Sequence, residues 1–306
     1  MKITKKVIQF PASGHKVAAV LNIPEEAEGK KNPALVCVHP GSSCKEQTAG
    51  IYAEKMAENG YVTIVFDASC QGESEGEPRF AEIPAQRTED IHCAVDYLTT
   101  LDLIDKDRIG VLGVCAGGGY AVNAAMSDHR IKAVGTVVGA NIGRVQRESC
   151  ENIAMTMEAA GKQRTAEING AEPMIVGWIP GSKEELEKSG ITDIDIVEAV
   201  DYYTTPRGKS PNSPNKLLFS SMNAMLSFDA FHLAEVLLTQ PLQIIVGDKQ
   251  GAFGSYRDGQ ELYKRAASQK KDILVLEGVS HYDLYDQPEP VAKAVAKLTS
   301  FYQENL

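Results

Sequence analysis

The stretch that decides the fold is residues 108–126, which read RIGVLGVCAGGGYAVNAAM. Residues 109–114 form a short apolar run, and this predicts a strand buried on both faces of a sheet. A pattern rich in glycine and alanine follows from Ala116 and predicts a helix. Cys115 stands between the two, with one glycine two positions before it and another two positions after it. A reactive side chain is therefore expected at a sharp strand-to-helix turn.

The glycines at this turn have a physical purpose, because a side chain beside the bend would clash with the strand or the helix. A strained backbone at Cys115 would present the sulfur, and the helix start would bring amide groups and a positive dipole end close to it. We therefore expect the thiolate form to be favoured. Two other interpretations are a buried cysteine that only fills space and a phosphate-binding turn, although neither GxGxxG nor GxxxxGK(S/T) occurs here.

Composition limits the class of protein. The 306 residues suffice for one large α/β domain with an insertion or for two domains. Hydrophobic residues make up 43% of the chain and charged residues 24%, which is ordinary for a soluble globular protein. The net charge of -10 argues against a nucleic-acid partner, because the phosphates of nucleic acids need a basic surface.

Cysteine usage and apolar runs indicate the cellular context. The six cysteines contain no CxxC pair and no metal-ligand spacing, so we expect no metal, no cofactor and reduced thiols, as in a cytosol. The first residues, MKITKKVIQF, lack a signal-peptide core, and no apolar run approaches about 18 residues. We therefore predict a cytoplasmic protein without a membrane partner, and a homo-oligomer is left open.

Strand and helix patterns alternate along most of the chain. This alternation predicts an α/β fold with a doubly wound, mainly parallel sheet and helices on both faces. The predicted strands are residues 5–10, 16–23, 34–39, 61–67, 108–114, 131–138, 241–247 and 272–278. The predicted helices include residues 49–57, 91–98, 256–267 and 291–301.

The alternation fails between residues 140 and 240. Helical patterns occur there at residues 151–161 and 183–188. We interpret residues 140–240 as a helical cap inserted over the catalytic edge of the sheet, with residues 1–139 and 241–306 forming the core. A cap of this kind would gain adaptable apolar walls from its tryptophan and methionines, although core packing explains most of the methionines better. These residues are Trp178, Met155, Met157, Met174, Met222 and Met225.

Polar or glycine-rich loops follow the strands, and ligands of a doubly wound sheet bind at this carboxyl edge. Cys115, Asp248 and His281 follow three strands in the order nucleophile, acid and histidine, which is the order of a catalytic triad on this kind of sheet. Alternatively, His281 is an ordinary surface histidine and Asp248 an ordinary turn aspartate.

A nucleophilic mechanism follows from these residues. His281, oriented by a carboxylate, would take the proton of the Cys115 thiol, and the thiolate would attack an acyl carbonyl to form a thioester. Two donors would stabilise the oxyanion. One is the backbone N–H of Ala116, and the other comes from the loop after the first parallel strand, where Ser42 is the strongest candidate. Water or another nucleophile would then release the acyl group.

Several motifs resemble a known family. The elbow GVCAGG at residues 113–118 resembles that of the dienelactone hydrolases, which also use cysteine. A closer resemblance is to neighbouring α/β-hydrolases described as dienelactone-hydrolase-like or polyketide-hydrolase-like. It implies an α/β-hydrolase fold and an acyl hydrolase or acyltransferase that acts on a small-molecule ester, lactone or thioester. The motifs that carry this resemblance are residues 39–41, 45–50, 66–69, 71–74, 202–208 and 281–286.

The acid of the triad departs from the family pattern. The resembling family usually has an aspartate a few residues past the glycine that ends this strand, and Gly251 stands at that position here. Asp248 is the candidate by elimination, with Glu277 and Asp283 as substitutes. A pair of cysteine and histidine without an acid is a further alternative, because a thiolate needs less help from a base than an alkoxide.

Three functions remain, and the third belongs to a different class from the first two. The first is a cysteine-dependent acyl hydrolase, and the second is an acyltransferase that passes the same acyl-enzyme to an alcohol or amine. The third is a non-catalytic ligand-binding protein on the hydrolase fold. The presence of both Cys115 and His281 argues against the third.

Overall fold

A mixed sheet forms the centre of the protein. The computed structural model describes residues 2–306. In these residues eight strands lie in the order β1-β2-β4-β3-β5-β6-β9-β10, with β1 and β2 antiparallel and the strands from β4 to β10 parallel. The predicted, mainly parallel sheet is confirmed. The strands are β1 (Ile3–Ala12), β2 (His15–Pro24), β3 (Asn32–Val38), β4 (Val62–Phe66), β5 (Ile104–Val114), β6 (Ile131–Val137), β7 (Ile175–Val176), β8 (Leu217–Leu218), β9 (Leu242–Gly247) and β10 (Lys271–Leu276).

Helices cover both faces of this sheet. Two clusters of buried apolar side chains result, one beneath α2 and α3 and the other beneath α1 and α12. Across residues 2–306, no helix combines the length and the apolar character that crossing a membrane requires. The helices are α1 (Thr48–Glu58), α2 (Pro84–Thr99), α3 (Ala116–Ser127), α4 (Ile142–Ser149), α5 (Ile153–Ile168), α6 (Lys183–Ser189), α7 (Ile194–Thr204), α8 (Met222–Ser227), α9 (Ala234–Leu237), α10 (Ser255–Arg265), α11 (Asp283–Asp286) and α12 (Pro288–Asn305).

The central strands are apolar because both of their faces are covered. Every residue of β4 is buried, and so is the apolar end of β5 that leads into the elbow. Helix α12 packs closely on the sheet at Gly110 and Gly135, where an added Cβ would lie 3.0 Å or less from the ring or hydroxyl of Tyr302. The sheet therefore holds the carboxyl ends of its parallel strands, and the loops that follow them, in a rigid frame.

Between β6 and β9 the chain leaves the main sheet. It forms helices α4 to α9 and a small antiparallel pair of β7 with β8. The predicted helices at residues 151–161 and 183–188 correspond to α5 and α6. That this segment is a cap with boundaries at residues 140 and 240 stays a prediction.

Candidate active site

Cys115 occupies the turn between β5 and α3 in a strained backbone conformation. Its φ of 54° and ψ of -126° lie in a region that L residues rarely adopt. The neighbouring glycines make this turn sterically possible, as the sequence predicts. A Cβ at Gly113 would lie 2.2 Å from the carbonyl oxygen of Gly117, and a Cβ at Gly117 would lie 2.3 Å from that of Val38.

The thiol of Cys115 is protonated at neutral pH, contrary to the expected thiolate. Burial raises its pKa to about 11, although hydrogen bonds from the Tyr285 hydroxyl and the Ala116 amide act in the opposite direction. The start of helix α3 therefore offsets only part of the desolvation of the sulfur. An acceptor for the thiol proton is required before this cysteine can act as a nucleophile at neutral pH.

The two residues expected to stabilise an oxyanion, Ala116 and Ser42, line the same cavity as Cys115. The Ala116 amide acts on the sulfur and lowers its pKa. Ser42 has a φ of 55°, and its carbonyl accepts a 2.5 Å hydrogen bond from the Ser213 hydroxyl. Ser213 belongs to the segment between β6 and β9, so this segment also holds the loop that follows β3.

The cavity above Cys115 has a volume of about 420 Å³ and a mostly apolar lining. This volume lies in the usual range for small-molecule sites. The Trp178 ring covers one side and approaches the loop after β3 so closely that a Cβ at Gly41 would lie 3.3 Å from it. Glu148, which also lines the cavity, is paired with Arg144 and Arg257. Apolar side chains of the lining include Ile142, Val145, Trp178, Ile179, Ile196 and Phe253.

His281 does not line the cavity, whereas Tyr285, which contacts it, does. The histidine is 1% exposed, and its Nε2 lies 3.3 Å from the Tyr285 hydroxyl oxygen. The same hydroxyl lies close enough to the Cys115 thiol to lower its pKa. Nδ1 of His281 lies 3.1 Å from the hydroxyl oxygen of Ser255, the first residue of α10. Burial lowers the pKa of His281 to about 3, so the imidazole is neutral at pH 7, and burial disfavours its imidazolium form.

The predicted pair of Asp248 with His281 is not formed in the structure. Asp248 follows β9 as expected, but its carboxylate accepts a 2.7 Å hydrogen bond from the Gly278 N–H. It therefore ties together the two loops that follow β9 and β10. The substitutes that the sequence offers are directed elsewhere as well. Asp283 accepts the Ser280 N–H at 2.9 Å, and Glu277 is exposed.

We expect Asp248→Asn to leave turnover within about threefold of wild type, because an asparagine oxygen can still accept the Gly278 N–H. The measurement is kcat on an ester substrate, with Asp283→Asn as the matched control. If Asp248→Asn instead lost about 10,000-fold, as expected for a carboxylate that sets the tautomer of a catalytic histidine, Asp248 would be the acid after all.

A group of possible metal ligands lies close to the site but already holds a cation. Single ligand atoms of Cys44, Glu46 and Asp67 lie within 4.8 Å of one another. The ammonium of Lys45 is 2.6 Å from the Glu46 carboxylate and 2.8 Å from that of Asp67. Hydrogen bonding to these carboxylates raises the pKa of Lys45 despite its burial, so the lysine stays charged and neutralises the group.

The structure adds residues that the sequence analysis did not assign, and it removes others. Tyr285 and Ser255 contact the imidazole of His281, and Asp195 contacts the loop that leads to Ser255. Of the expected apolar walls, Trp178 lines the cavity. The five methionines do not. Met155 and Met174 are exposed, whereas Met222 and Met225 are buried in the core.

Comparison with known proteins relates part of the chain to a hydrolase family and the whole chain to an uncharacterized relative. A profile of the X-Pro dipeptidyl-peptidase (S15) family matches residues 13–159. The uncharacterized protein YcjY of Escherichia coli K12 is 44% identical over 297 residues, which are 95% of this chain and 94% of YcjY. These matches support the superfamily that the elbow suggests and leave the nucleophile and the substrate class open.

Two solved structures are similar along the whole chain. The hypothetical protein PA2218 from Pseudomonas aeruginosa superposes with a TM-score of 0.89 at 31% identity, covering 100% of this chain and 94% of that chain. The α/β-hydrolase GrgF from Penicillium sp. sh18 has a TM-score of 0.80 at 19% identity, with 99% of each chain covered. The likeness to GrgF concerns the fold alone, and it confirms the predicted α/β-hydrolase fold.

Proposed function

The chain belongs to the α/β-hydrolase superfamily and, within it, to the family of YcjY and PA2218, and we propose that it is an acyl hydrolase with Cys115 as its nucleophile. The observation that carries this proposal is the strained elbow, which aims the sulfur into the cavity beside the Ala116 amide. A cysteine that only filled space would need neither the positive φ nor a cavity in front of it.

The proton of the thiol leaves through Tyr285. The S–H proton passes to the Tyr285 oxygen, while the proton that this oxygen carried passes to Nε2 of His281. The products are a thiolate, an imidazolium and a tyrosine that is neutral throughout and now donates to the sulfur. Burial raises the pKa of the Tyr285 hydroxyl well above its ordinary value, so a free tyrosinate is not an intermediate.

The thiolate then attacks the acyl carbonyl, and the Ala116 amide and a donor from the Ser42 loop stabilise the oxyanion. The carbon–oxygen or carbon–sulfur bond to the leaving group breaks, and the leaving group takes the proton from His281. The product is a thioester on Cys115. Water attacks this thioester, the histidine accepts and returns a proton through Tyr285, and the acid is released with the thiol restored.

The lining of the cavity favours a neutral, apolar acyl group. An X-Pro dipeptide carries an N-terminal ammonium, and a site for it needs a carboxylate that is free to bind a cation. The Glu148 carboxylate is already paired with two arginines. We therefore propose esters, lactones or thioesters as substrates, in line with a dienelactone-hydrolase-like enzyme, and the segment at residues 140–240 as the cap that shapes the acyl pocket.

The experiment is a panel of matched substrates. It comprises p-nitrophenyl acetate, butyrate and octanoate, an acyl thioester, a simple lactone and an X-Pro p-nitroanilide, each tested with wild type and Cys115→Ala. We expect cleavage of the acyl compounds that requires Cys115. Cleavage of the anilide alone would support a peptidase instead. Faster release of the acyl group by added alcohols or amines than by water would support an acyltransferase.

We expect Trp178→Ala to change the preference among acyl chains. The ring is a large part of the apolar wall, so its loss removes contacts that a long chain makes and an acetyl group does not. The ratio of kcat/KM for octanoate to that for acetate should fall by about tenfold, with the acetate value within about threefold of wild type. Ile168→Ala, an exposed change on α5, is the matched control. An unchanged ratio of the two kcat/KM values would contradict an acyl pocket shaped by residues 140–240 and would favour an assembly surface there.

A further inference from the structure

The loop that follows β9 offers His281 no carboxylate. This loop is the place from which the acid of a nucleophile–acid–histidine triad is supplied on such a sheet. Its Asp248 is bound to the Gly278 N–H, and Gly251 has no side chain at all. Burial lowers the pKa of His281. The loop after β9 therefore supplies none of the negative charge that would stabilise the imidazolium form of this base.

A carboxylate from another element fills the space beside Gly251. A Cβ at Gly251 would lie 2.4 Å from Cγ of Asp195, and 2.6 and 2.7 Å from its two oxygens. The carboxylate of Asp195 thus occupies the volume that a side chain at position 251 would take. Asp195 is the second residue of helix α7, which belongs to the segment between β6 and β9.

This carboxylate is buried and only half satisfied. Asp195 is 1% exposed, and its Oδ2 accepts a 2.9 Å hydrogen bond from the Phe253 N–H. Its Oδ1 is buried without a hydrogen-bond partner. Burial, with the negative charges of Asp193 and Glu198 in addition, raises the pKa of Asp195 to about 7. A buried carboxylate with an unpaired oxygen lowers the free energy of unfolding, and buried groups of this kind are often retained for a catalytic role.

Asp195 is connected to His281 through contacts of the loop at residues 251–255. Phe253, whose amide Asp195 binds, packs its ring against the imidazole of His281 at 5.4 Å between centroids. Two residues further, the Ser255 hydroxyl hydrogen-bonds Nδ1 of His281. Asp193 accepts the N–H of Ala252 at 3.1 Å. The start of α7 therefore fixes the short loop from residue 251 to 255 that contacts the histidine.

We propose that Asp195 is the acid of this active site, supplied by helix α7 in place of a residue on the loop after β9. The inference rests on the proposed function. Asp195 is a positioning residue: in its ionised form it takes no proton from the substrate and stabilises the imidazolium that forms when Cys115 loses its proton. Correct placement of helix α7 is then a condition for catalysis, because the helix carries the missing charge.

Moving the carboxylate back to the loop tests this proposal. Asp195→Asn keeps an oxygen for the Phe253 N–H and removes only the charge. Asp195→Gly opens the space, and the double variant Asp195→Gly with Gly251→Asp places a carboxylate there from the other side. For each variant kcat/KM on p-nitrophenyl acetate is measured from pH 5.5 to 9, together with the thermal midpoint and the rate at which an acetyl group appears on Cys115.

We expect Asp195→Asn and Asp195→Gly to lose about 100-fold in kcat/KM, and the double variant to regain at least about tenfold over Asp195→Gly. Wild-type kcat/KM should fall as the pH drops through about 7, where Asp195 takes up a proton, and this dependence should vanish in Asp195→Asn. Asp193, Glu198, Cys115 and Tyr282 are the other titratable groups around this carboxylate, and none of them is changed in these variants.

Two results would overturn the inference. One is an Asp195→Asn enzyme within twofold of wild type with an unchanged pH profile. The other is a folded double variant that is no faster than Asp195→Gly. The acetyl group on Cys115 distinguishes the failure of Asp195 as the acid from the failure of Cys115 as the nucleophile. Its appearance in wild type supports Cys115 as the nucleophile irrespective of the Asp195 variants, and its absence contradicts that role.

Discussion

Cys115→Ala is expected to lower kcat on esters and thioesters by at least about 10,000-fold, because the proposed acyl-enzyme forms on its sulfur. The fold should stay intact, since the change removes one sulfur and leaves the backbone of the elbow as it is. Cys115→Ser should retain little activity, because a hydroxyl has a much higher pKa than a thiol. The measurement is kcat with the thermal midpoint recorded in parallel.

Cys93→Ala is the matched control for this variant. It removes another buried thiol, from helix α2, whose sulfur contacts Glu89 and does not line the cavity. We expect Cys93→Ala to keep wild-type kcat. Activity of Cys115→Ala equal to that of an active Cys93→Ala would mean that the elbow cysteine is not the nucleophile. Absence of activity in wild type and in both variants would support the non-catalytic interpretation of the fold.

His281→Gln is expected to show the second largest effect, a loss of about 1,000-fold in kcat at pH 7. Without the base, the reaction depends on the small fraction of thiolate. Because the pKa of Cys115 is raised to about 11, that fraction increases about tenfold with each pH unit below this value. The residual activity of His281→Gln should therefore rise steeply between pH 7 and 10, more steeply than that of wild type.

The Tyr285 hydroxyl provides an independent check of the proposed proton path from Cys115 to His281. Tyr285→Phe should lower kcat about 100-fold, because the Cys115 proton then has no path to Nε2. Tyr282→Phe is the control, since this ring also packs on His281, at 5.3 Å, and lines the same cavity. A Tyr285→Phe enzyme as active as Tyr282→Phe would show that His281 reaches the thiol directly.

The sheet and the elbow were predictable because their signals are local. Apolar runs mark the buried strands, and the glycines around Cys115 are required by contacts within a few residues of it. The position of His281 after β10 follows from the order of the strands. The α/β-hydrolase fold and the alternation on either side of the cap-like segment are therefore contained in short stretches of sequence.

The rest depends on contacts that the sequence does not display. Asp195 meets Gly251 across 56 positions of chain, so the glycine at 251 put Asp248 in doubt without indicating Asp195. The Tyr285 hydroxyl reaches both His281 and Cys115 because of the path of the chain into α11. The prediction of a thiolate at Cys115 was wrong for another reason. The local sequence shows the helix start that lowers a thiol pKa, but it does not show the burial that raises the pKa.

The acid illustrates the limit of reasoning by loop position. Asp248 stands in the predicted loop, yet its carboxylate turns to the Gly278 N–H and leaves the Nδ1 of His281 to Ser255. A loop can be assigned from the order of strands, whereas the direction of one side chain in it depends on which backbone donors lie nearby. Here a neighbouring loop offered such a donor.

The most direct test of the proposed mechanism is mass spectrometry of the protein quenched during the first turnovers of p-nitrophenyl acetate. We predict a burst of p-nitrophenol and a single acetyl group on the peptide that contains Cys115, absent from Cys115→Ala and longer lived in His281→Gln. Turnover with no acyl group on Cys115, or an acetyl group on a different residue that accumulates and decays at the rate of turnover, would contradict the mechanism.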